Sequence, residues 1–467
     1  MSAVTVAEPR TVSSVAVASS SRWWRDVTAA FAWAVVLFVV ALWVAGGGLS
    51  AFGSAGDGLT NVGRLAGLLA SALMLLQLLL MARIPIVEQA WGQDELARVH
   101  RLVGFTSFTL MLAHIGLVIV GYSVGTGAGV VGTFLDEVAH SPGMLLALAG
   151  ALALVMVVVT SIKRARRRLR YESWHLLHLY AYLGAGLALP HQLWSGQDFR
   201  ASTASTVFWW GLYVAPLVSV LTFRVVVPLA RSLRHRLVVD HVVAESPTVT
   251  SVVLTGRNLH RMPVRAGQFF QWRFLDGPGW TRANPYSLSA APDGRSLRLT
   301  VENVGGSSGR LAGLRPGTRV LVEGPYGRLH AGVRTREKSV LIGAGIGITP
   351  LRSLLEELPP GPDATVVIYR IGRRDDLVLS EELVSLAATK GARVTAVVGH
   401  RQSARDSWLP VEASHVDDAE ALTRIVPDIA ERDVYVCGAL AWMDAVIAAA
   451  RRAGVAQESI HHERFGY

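Results

Sequence analysis

The stretch that decides the fold is Tyr171–His191, which reads YESWHLLHLYAYLGAGLALPH. A segment of about 20 mostly apolar residues is long enough to cross a bilayer. This one nevertheless contains His175, His178 and His191. Ionisable side chains inside a membrane are costly and are usually retained for function. The histidines therefore indicate a membrane segment that holds a ligand.

The composition changes at about residue 230. Hydrophobic residues make up 51% of the chain and charged residues only 17%, with a mean hydropathy of +0.37. The long apolar runs all lie between residues 29 and 230, whereas residues 231–467 have an ordinary globular composition. These values predict a membrane half followed by a soluble half.

Six apolar segments have the length of a membrane span, at roughly 29–46, 62–82, 99–121, 143–162, 173–192 and 207–229. One loop between them is strongly basic and contains Lys163, Arg164, Arg166, Arg167, Arg168 and Arg170. Because cytoplasmic loops carry the excess of lysine and arginine, this pattern predicts a multi-pass cell-membrane protein with both termini in the cytoplasm. Residues 1–28 are predicted to be a disordered cytoplasmic tail.

Composition also excludes several classes of protein. The net charge is +10, but the cations lie between apolar runs and no nucleic-acid-binding motif accompanies them, so we expect no nucleic-acid partner. The single cysteine, Cys437, excludes an internal disulfide, a cysteine-ligated iron–sulfur cluster and a cysteine-based structural zinc site held by this chain alone.

Four histidines fall within two of the predicted spans. His100 and His114 lie on the third span, about 21 Å of helix rise apart and on one face, about 40° from each other. His178 and His191 lie on the fifth, about 20 Å apart but about 140° around an ideal helix. Pro190 can kink that helix and re-aim the second ring.

The two pairs are expected to be stacked across the bilayer. The third and fifth spans run in the same direction, which puts His100 and His178 at the cytoplasmic level and His114 and His191 near the outer level. Neutral imidazoles ligate transition metals well, and two axial histidines from facing helices can hold a haem. The sequence thus predicts two haems at two depths. His175 is the alternative to His178, because it lies three residues earlier near the same face.

The first part of the soluble half, to about residue 333, has short strands at even spacing, which predicts an antiparallel barrel or sandwich. At 284–289 the sequence NPYSLS puts a tyrosine and a hydroxyl at a strand start, where they can meet a planar ring. At 305–309 the sequence GGSSG opens a short helix, and its free N–H groups suit a pyrophosphate.

The last part, 334–467, alternates strands and helices, which predicts a doubly wound parallel sheet. The loop GAGIGITP at 343–350 follows the first strand, and its glycines permit close backbone approach. Cys437 and Gly438 end a later strand, at the edge where ligands of such sheets bind. Arg370, Arg401 and Arg405 follow other strand ends and are candidates to meet a 2′-phosphate.

Together these residues resemble the bacterial ferric reductase and NADPH oxidase family, in which a six-span dihaem domain is fused to a ferredoxin-reductase-like module. The resemblance covers about 29–467. It implies a multidomain membrane protein with a six-helix transmembrane bundle (29–230), an antiparallel β-barrel FAD domain (231–333) and an α/β doubly wound NAD(P) domain (334–467). It also implies one inner and one outer b-type haem, on the two histidine pairs.

The motifs carry further implied roles. PYSLSAAP resembles the flavin motif, which implies that Tyr286 stacks on the isoalloxazine and that Ser287 bonds near its N5. GAGIGITP and VCGALAWM resemble the nicotinamide-nucleotide motifs, which implies that Cys437 lies beside the hydride path. Further implied cofactor contacts are Pro285, Leu288, Gly306, Ser307, Ser308, Gly343, Gly345, Gly347, Thr349, Pro350 and Gly438.

The chain departs from the family at several points: in the residue before Pro-Tyr, in Ala439, which replaces the usual proline after Cys-Gly, and in Gly466 and Tyr467, which follow the expected terminal aromatic. Asn284 stands where the family has arginine or histidine before Pro-Tyr, and Arg282 lies two positions earlier, so either side chain could meet the FAD pyrophosphate. The ending HHERFGY resembles the family's terminal Glu-x-aromatic, which adds Glu463 and Phe465 to the implied catalytic set. Phe465 would cover the flavin until nicotinamide displaces it, and Tyr467 is the alternative.

The resemblance implies an oxidoreductase that passes electrons from cytosolic NADPH or NADH through FAD and two haems to an outer acceptor. That acceptor is O₂, which would give superoxide, or a ferric chelate. Two alternatives are a reductase for a specific extracellular protein and a non-catalytic membrane sensor. The expected partners are the bilayer, the nucleotide and the acceptor, and the oligomeric state stays open.

Overall fold

The structure is a computed structural model that describes residues 14–166, 168–169, 171–277, 279–401 and 406–464. The chain divides into two compact units. The first, which we call the helical unit, contains Arg25–Val87 and Glu95–Arg224. The second, which we call the β-containing unit, contains Met1–Trp24, Glu88–Asp94 and Val225–Gly466.

The first half of the chain is helical. Its α-helices are α1 (Ser14–Ala45), α2 (Ala55–Leu80), α3 (Pro85–Trp91), α4 (Gln93–Thr126), α5 (Val130–His140), α6 (Met144–Ser161), α7 (Lys163–Arg166), α8 (Tyr171–Trp194), α9 (Gln197–Arg200), α10 (Thr203–Leu221) and α11 (Val227–His235). A π-helical turn, Thr222–Val226, joins the last two helices.

Five segments in the described part of the chain are long and apolar enough to cross a membrane: Trp23–Ala45, Ala55–Leu80, Gln93–Thr126, Met144–Ser161 and Thr203–His235. They coincide with five of the six predicted spans. The remaining predicted span, 173–192, coincides with α8, which is 24 residues long. This helix is long enough to cross a membrane, but its histidines and aromatic residues lower its mean hydropathy. Its length therefore supports a membrane span, whereas its composition does not.

The predicted tail differs from the structure. Helix α1 begins at Ser14, so residues 14–28 are helical rather than irregular. This part of the chain is rich in serine, valine and alanine and continues without a glycine or proline into the apolar run, so no residue there ends a helix. Residues 1–13 lie outside the described residues.

Small residues bring α6 and α8 together. A Cβ atom added to Gly150 of α6 would lie 2.8 Å from the carbonyl oxygen of Gly184 in α8. One added to Gly184 would lie 3.0 Å from the carbonyl oxygen of Gly150 and 2.9 Å from the Leu154 side chain. Small residues at a membrane helix interface permit this close backbone approach. The contact fixes the position of the helix that carries the central histidines.

Six strands follow α11: β1 (Val238–Ser246), β2 (Val249–Thr255), β3 (Phe269–Phe274), β4 (Asn284–Ser287), β5 (Ser296–Glu302) and β6 (Val320–Tyr326). They form two antiparallel three-stranded sheets, β1-β2-β5 and β4-β3-β6. Isolated antiparallel bridges, Leu288 with Leu299 and Val238 with Arg319, link the two sheets at both edges. Phe270, Trp272 and the bridge leucines are fully buried in the core between them.

The last part of the chain contains the strands β7 (Ser339–Ala344), β8 (Thr365–Ile371), β9 (Arg393–Val398), β10 (Asp433–Cys437) and β11 (Ile460–His462), and the helices α12 (Ile348–Glu357), α13 (Ser380–Lys390), α14 (Asp418–Ile425) and α15 (Leu440–Arg452). The strands form one parallel sheet in the order β11-β10-β7-β8-β9. This agrees with the predicted doubly wound sheet. The strand order reverses between β7 and β10, which is where such folds bind nucleotides.

Candidate functional site

One histidine pair joins α4 to α8. The ring centroids of His100 and His178 are 6.0 Å apart, with an angle of 66° between the planes. His178 Nδ1 lies 3.3 Å from the Ser161 hydroxyl, to which the Trp174 indole also donates, at 3.4 Å. The Trp174 ring lies 5.0 Å from His178 and 6.5 Å from His175. Neighbouring side chains therefore fix the orientation of His178.

The second predicted pair is His114 on α4 and His191 on α8, and the two side chains are close enough to interact electrostatically. His114 Nδ1 lies 2.9 Å from the carbonyl oxygen of Gly63 on α2. A carbonyl oxygen can only accept, so Nδ1 carries the hydrogen and Nε2 keeps its lone pair. A hydrogen bond of this kind orients many histidines that bind metals. A Cβ atom on Gly67 would lie 2.7 Å from His114 Nδ1, so the ring needs a glycine there.

Helix α8 continues through Pro190 to Trp194, and the proline does not end it. Within the described structure, the buried Nδ1 atoms of His100 and His191 make no hydrogen bond of standard geometry, although the backbones of Gln77 and Ala188 lie nearby. A buried polar atom without a partner in a protein interior requires a reason.

The donor set fits haem. The separation of 6.0 Å between the His100 and His178 rings accommodates two metal–nitrogen bonds of about 2 Å each. Among the residues that the structure describes, no group of three or more histidine, cysteine, aspartate or glutamate side chains is arranged to hold a metal ion. His100 and His178 thus bring two imidazoles together in the helical unit, a donor set that would suit a haem.

The predicted flavin motif lies on β4, which pairs with β3, Tyr286 opposite Phe270 and Ser287 opposite Phe269. The indole of Trp272 donates to the Tyr286 carbonyl at 2.9 Å and fixes the strand. Burial raises the pKa of the Tyr286 phenol to about 12, so this side chain is neutral at physiological pH.

Other predicted flavin residues lie next to β4. The Asn284 amide donates to the Arg282 carbonyl at 3.5 Å, which keeps these two candidate pyrophosphate-binding residues together. Pro285 is half-buried on β4 itself. The Leu288 side chain is fully buried in the sheet core, so this residue contributes to packing rather than to a binding surface.

The predicted phosphate loop is open. Gly305 and Gly306 have φ angles of +90° and +58°, and no other described atom lies within 4 Å of where their Cβ atoms would be. The Ser308 hydroxyl donates to the Gly305 carbonyl at 2.9 Å and accepts from the Val304 N–H at 3.0 Å. Ser307 precedes the short 3₁₀ helix Ser308–Gly313. The loop is thus held by its own serine and leaves space above the glycines.

The predicted nucleotide loop connects β7 to α12. A Cβ atom on Gly347 would lie 2.4 Å from the Cys437 carbonyl oxygen, so only glycine allows the loop to contact the end of β10. Gly345 adopts φ +53°. The Thr349 hydroxyl donates to the Ile346 carbonyl at 2.9 Å, and Pro350 lies in the first turn of α12. The loop therefore lies at the reversal point of the sheet.

Packing also explains two further glycines of this motif. A Cβ atom on Gly343 would lie 3.1 Å from side chains of α12, and one on Gly438 would lie 2.9 Å from the Trp442 ring. Both glycines keep a strand end close to the helix that follows it. These two glycines therefore allow close packing of the backbone, and they have no side chain that could contact a ligand.

Cys437 and Glu463 were predicted from separate motifs. In the structure the two side chains are close enough to interact electrostatically. Burial, then the Glu463 carboxylate, raises the pKa of the Cys437 thiol to about 12. Burial raises the pKa of Glu463 to about 8, although its Oε2 accepts a hydrogen bond from the Arg328 N–H at 2.9 Å. Gly327, with φ +96°, leaves room for that carboxyl group. Both acids therefore retain their protons at neutral pH.

The arginines predicted for a 2′-phosphate are engaged elsewhere. Arg370 is only 5% exposed and donates to the carbonyls of Trp408 and Ile371, so it connects loops inside the domain. Arg401 donates to the carbonyls of Ser407 and Ala441 at 2.9 and 3.2 Å. Phe465, Tyr467 and Arg405 lie outside the described residues.

The structure adds two candidate arginines that the sequence prediction did not name. Arg373 and Arg374 are exposed and follow the end of β8, next to the nucleotide loop strand β7. An arginine near the end of the second strand is the usual partner of a 2′-phosphate in this type of fold. The position of Arg373 and Arg374 directly after a buried strand is the feature of the sequence that could have identified them as candidates.

Two family models match the chain. Residues 66–189 match the ferric reductase like transmembrane component, and residues 341–447 match the oxidoreductase NAD-binding domain. The first range includes His100, His114 and His178 and ends two residues before His191.

The chain is also similar to curated flavohemoproteins. It is 27% identical over 228 residues to that of Bacillus subtilis (strain 168), covering 48% of this chain and 57% of that protein. It is 29% identical over 236 residues to that of Vibrio cholerae, with 48% and 57% covered. The chain thus spans less than three fifths of the length of these relatives.

Among solved structures, the chain is similar to the flavohem-like FAD/NAD-binding domain of nitric oxide dioxygenase from Vibrio cholerae, with 24% identity and a TM-score of 0.40. The similarity covers 50% of this chain and 99% of that domain. The two family matches carry the assignment: the chain joins a region that matches a ferric reductase like transmembrane component to a region that matches an oxidoreductase NAD-binding domain.

Proposed function

We propose that this chain transfers electrons from cytosolic NADPH or NADH across the cell membrane to an acceptor on its outer face. The observation that carries the proposal is the pairing of His100 with His178 at 6.0 Å within a region matched by the ferric-reductase component. A nucleotide-binding module in the same polypeptide supplies the donor site. The proposed architecture is a six-span bundle that includes α8, a closed antiparallel barrel and the parallel sheet.

Two b-type haems are the proposed occupants of the helical unit. His100 and His178 would ligate the inner one, and His114 and His191 the outer one. Ser161 orients His178 of the first pair, and the Gly63 carbonyl orients His114 of the second. When bound, FAD accepts a hydride and releases its electrons singly, and haem iron carries one electron at a time.

The β-containing unit would bind both nucleotides. Tyr286 and Ser287 would contact the flavin ring, and Arg282 or Asn284 its pyrophosphate, with Gly306, Ser307 and Ser308. The Cys437 thiol and the Glu463 carboxyl, both neutral at pH 7, would lie beside the nicotinamide without adding charge there. Phe465 or Tyr467 would cover the ring when nicotinamide is absent.

The donor preference would depend on the arginines at the sheet edge. Arg373 and Arg374 are exposed there, and the Arg373 guanidinium makes an exposed ion pair with Asp375 at 3.4 Å. Arg401, by contrast, already donates to two carbonyls. A 2′-phosphate is a dianion that exposed guanidinium groups bind in bidentate fashion. We therefore favour NADPH as donor, with Arg373 as the principal contact.

The test is a visible spectrum of the full-length protein purified in detergent, with haem and flavin measured per chain. We expect two low-spin haems and one FAD per chain, and complete haem reduction by NADPH under anaerobic conditions. One haem or none per chain, or reduction by dithionite but not by either nucleotide, would contradict the proposal.

The two acceptors that remain can be separated by assay. Reduction of cytochrome c that superoxide dismutase abolishes would indicate O₂ as the acceptor. Ferric reduction that dismutase does not affect, and that persists without oxygen, would indicate a metal acceptor. The cell membrane as the location and the cytoplasmic position of both termini belong to the same proposal.

A further inference from the structure

The last serine of the NPYSLS motif, Ser289, receives four hydrogen bonds that no role above explains. It is fully buried, and its hydroxyl accepts from the Thr300 hydroxyl at 2.8 Å and from Arg298 Nε at 3.2 Å. Its carbonyl oxygen accepts from Arg298 Nη2 and Arg352 Nη1, both at 3.2 Å. Two guanidinium groups therefore hold the backbone two residues after Ser287, the proposed flavin contact.

These two arginines come from different parts of the β-containing unit. Arg298 lies on β5 of the antiparallel sheet β1-β2-β5, whereas Arg352 lies on α12, the helix that follows the nucleotide loop. Glu382 on α13 joins them. Its Oε1 and Oε2 accept from Arg298 Nη1 and Nη2 at 2.8 and 2.7 Å, and its Oε2 lies 3.2 Å from Arg352 Nε. A bidentate pair of arginine and carboxylate fixes both distance and orientation.

A further carboxylate holds the segment that follows the flavin motif. Glu356, one turn after Arg352 on α12, accepts from the Ala291 N–H at 2.8 Å and from Arg352 Nη1 at 2.5 Å. Helix α12 therefore donates to the backbone at residue 289 and accepts from the backbone at residue 291. We call Arg298, Arg352, Glu356 and Glu382 the clamp.

The clamp lies in a setting where its charges persist. The side chains of Arg298 and Arg352 are only 17% and 11% exposed, so loss of a carboxylate partner would leave a guanidinium poorly solvated. The hydrogen bond from Arg298 holds the pKa of Glu382 below its ordinary value of 4.5. Glu382 is therefore ionised at neutral pH, and the pairs stay charged.

An apolar contact connects the same two parts of the unit. Val249 of β2 packs with Val378 and Leu379, which directly precede α13, and with Ile346 of the nucleotide loop. Leu379 has a φ of +54°, a left-handed conformation that is strained for leucine. Strain of this kind persists only where the surrounding structure holds it. Glu382 follows three residues later, so the clamp also anchors this turn.

We propose that the four clamp residues are positioning residues for hydride transfer, because they set the spacing between the flavin motif at 284–289 and the nucleotide loop at 343–350. This inference rests on the proposed function, in which the nucleotide reduces a flavin. In that step a C–H bond of the nicotinamide breaks and an N–H bond forms on the flavin, so NADPH becomes NADP⁺ and FAD becomes FADH⁻. The clamp acts through the backbone, and a displacement of about 1 Å between reacting groups can slow such a step about 100-fold.

The test measures hydride transfer separately from binding, in the full-length protein purified in detergent. Flavin reduction in a single turnover is followed by loss of flavin fluorescence under anaerobic conditions, with NADPH and with NADPH that carries deuterium at the transferred position. FAD content per chain and Kd for NADP⁺ are measured on the same samples. A loss of fold would lower the last two values, whereas a loss of positioning lowers the rate alone and raises the isotope effect.

Two variants remove the central ion pair from either side. Glu382→Gln keeps the shape of the side chain without its charge and should slow flavin reduction about fivefold, with FAD content and Kd changed less than about twofold. Arg298→Met should slow it about tenfold or more, since it also releases Ser289. The double variant should be no slower than Arg298→Met, because residues that act through one contact are not additive.

Arg424→Met serves as the matched control. It removes an exposed ion pair with Glu420, at 2.6 Å within α14, and should change neither rate nor binding. Wild-type rates in Glu382→Gln and Arg298→Met, or rates lowered only in proportion to lost FAD, would overturn the role of the clamp. If the wild type reduces its flavin but no haem, the proposed function fails and the clamp result stands. If neither NADPH nor NADH reduces the wild-type flavin, both proposals fail.

Discussion

Glu463 is a carboxyl group that the fold keeps protonated at neutral pH. Burial raises its pKa to about 8, from an ordinary value of 4.5. The folded state therefore binds a proton that the unfolded state releases, and the resulting stability is fully present below about pH 4.5. It is lost as the pH rises through about 8, because the buried carboxylate must then carry a charge.

Glu463→Gln should remove this pH dependence. Glutamine keeps an oxygen that accepts from the Arg328 N–H but cannot ionise. The unfolding temperature, followed by flavin fluorescence, should fall between about pH 5 and 8 in the wild type and fall less in the variant. Glu431→Gln, at an exposed position, serves as the control and should follow the wild type. Equal pH slopes in all three proteins would refute the assignment.

Substitutions at Gly67 and Gly116 provide a test and a matched control for the proposed outer haem. A Cβ atom on Gly67 would lie 2.7 Å from His114 Nδ1, whereas no described atom lies within 4 Å of one on Gly116. Gly67→Ala should therefore displace the imidazole and remove about half of the low-spin haem absorbance. Gly116→Ala should preserve both haems, since alanine in a helix is favoured over glycine by about 1 kcal/mol. Full haem content in Gly67→Ala would contradict the role of His114.

Arg373 decides donor preference in our proposal. Arg373→Ala should raise KM for NADPH about 10- to 100-fold, the equivalent of about 1.5–3 kcal/mol for a hydrogen bond between charged groups. KM for NADH should stay unchanged, since NADH lacks the 2′-phosphate. Arg401→Ala serves as the comparison, and a selective NADPH defect there instead would move the contact to Arg401. Arg370→Ala should lower stability rather than selectivity, because its partners are internal carbonyls.

At the scale of elements, α8 depends on its contact with α6. Gly184→Leu would insert a side chain where even a Cβ atom meets Leu154 at 2.9 Å, whereas Gly186 on the same helix has open space. Overpacking of this kind costs about 1–3 kcal/mol. We expect Gly184→Leu to lose both haems and Gly186→Leu to retain them, as measured by the reduced visible spectrum. Equal haem content in the two variants would refute this role of the interface.

Apolar length and strand–helix alternation are strong signals, and they correctly predicted five of the candidate membrane helices and the parallel sheet. The short amphipathic helix α5, at Val130–His140, was not predicted, because eleven residues with alternating polarity resemble a loop in a hydropathy profile. The sequence could place His100 and His178 on different helices, but only the tertiary packing of those helices sets the 6.0 Å between their rings. The burial of Arg370 could not be predicted either, since two of its carbonyl partners, at Trp408 and Val397, lie 38 and 27 residues further along the chain.

At the scale of the whole molecule, the single cysteine makes membrane orientation measurable. Cys437 is buried, at 3% exposed, so a membrane-impermeant maleimide should label the native protein weakly. Ala139→Cys, in an exposed position before the loop at 141–143, should be labelled in intact cells if that side faces outward. Glu337→Cys, exposed in the β-containing unit, should be labelled only after permeabilisation. The reverse pattern would invert the proposed orientation.

The polarity of α8 also bears on how the protein is made. A segment that contains three histidines and a proline enters a bilayer less readily than its neighbours, because polar groups at membrane depth are costly. Its close glycine contact with α6 favours insertion of the two helices together as a hairpin. We therefore expect haem supply during biosynthesis to set the yield, since chains without haem would leave this hairpin poorly inserted and open to degradation.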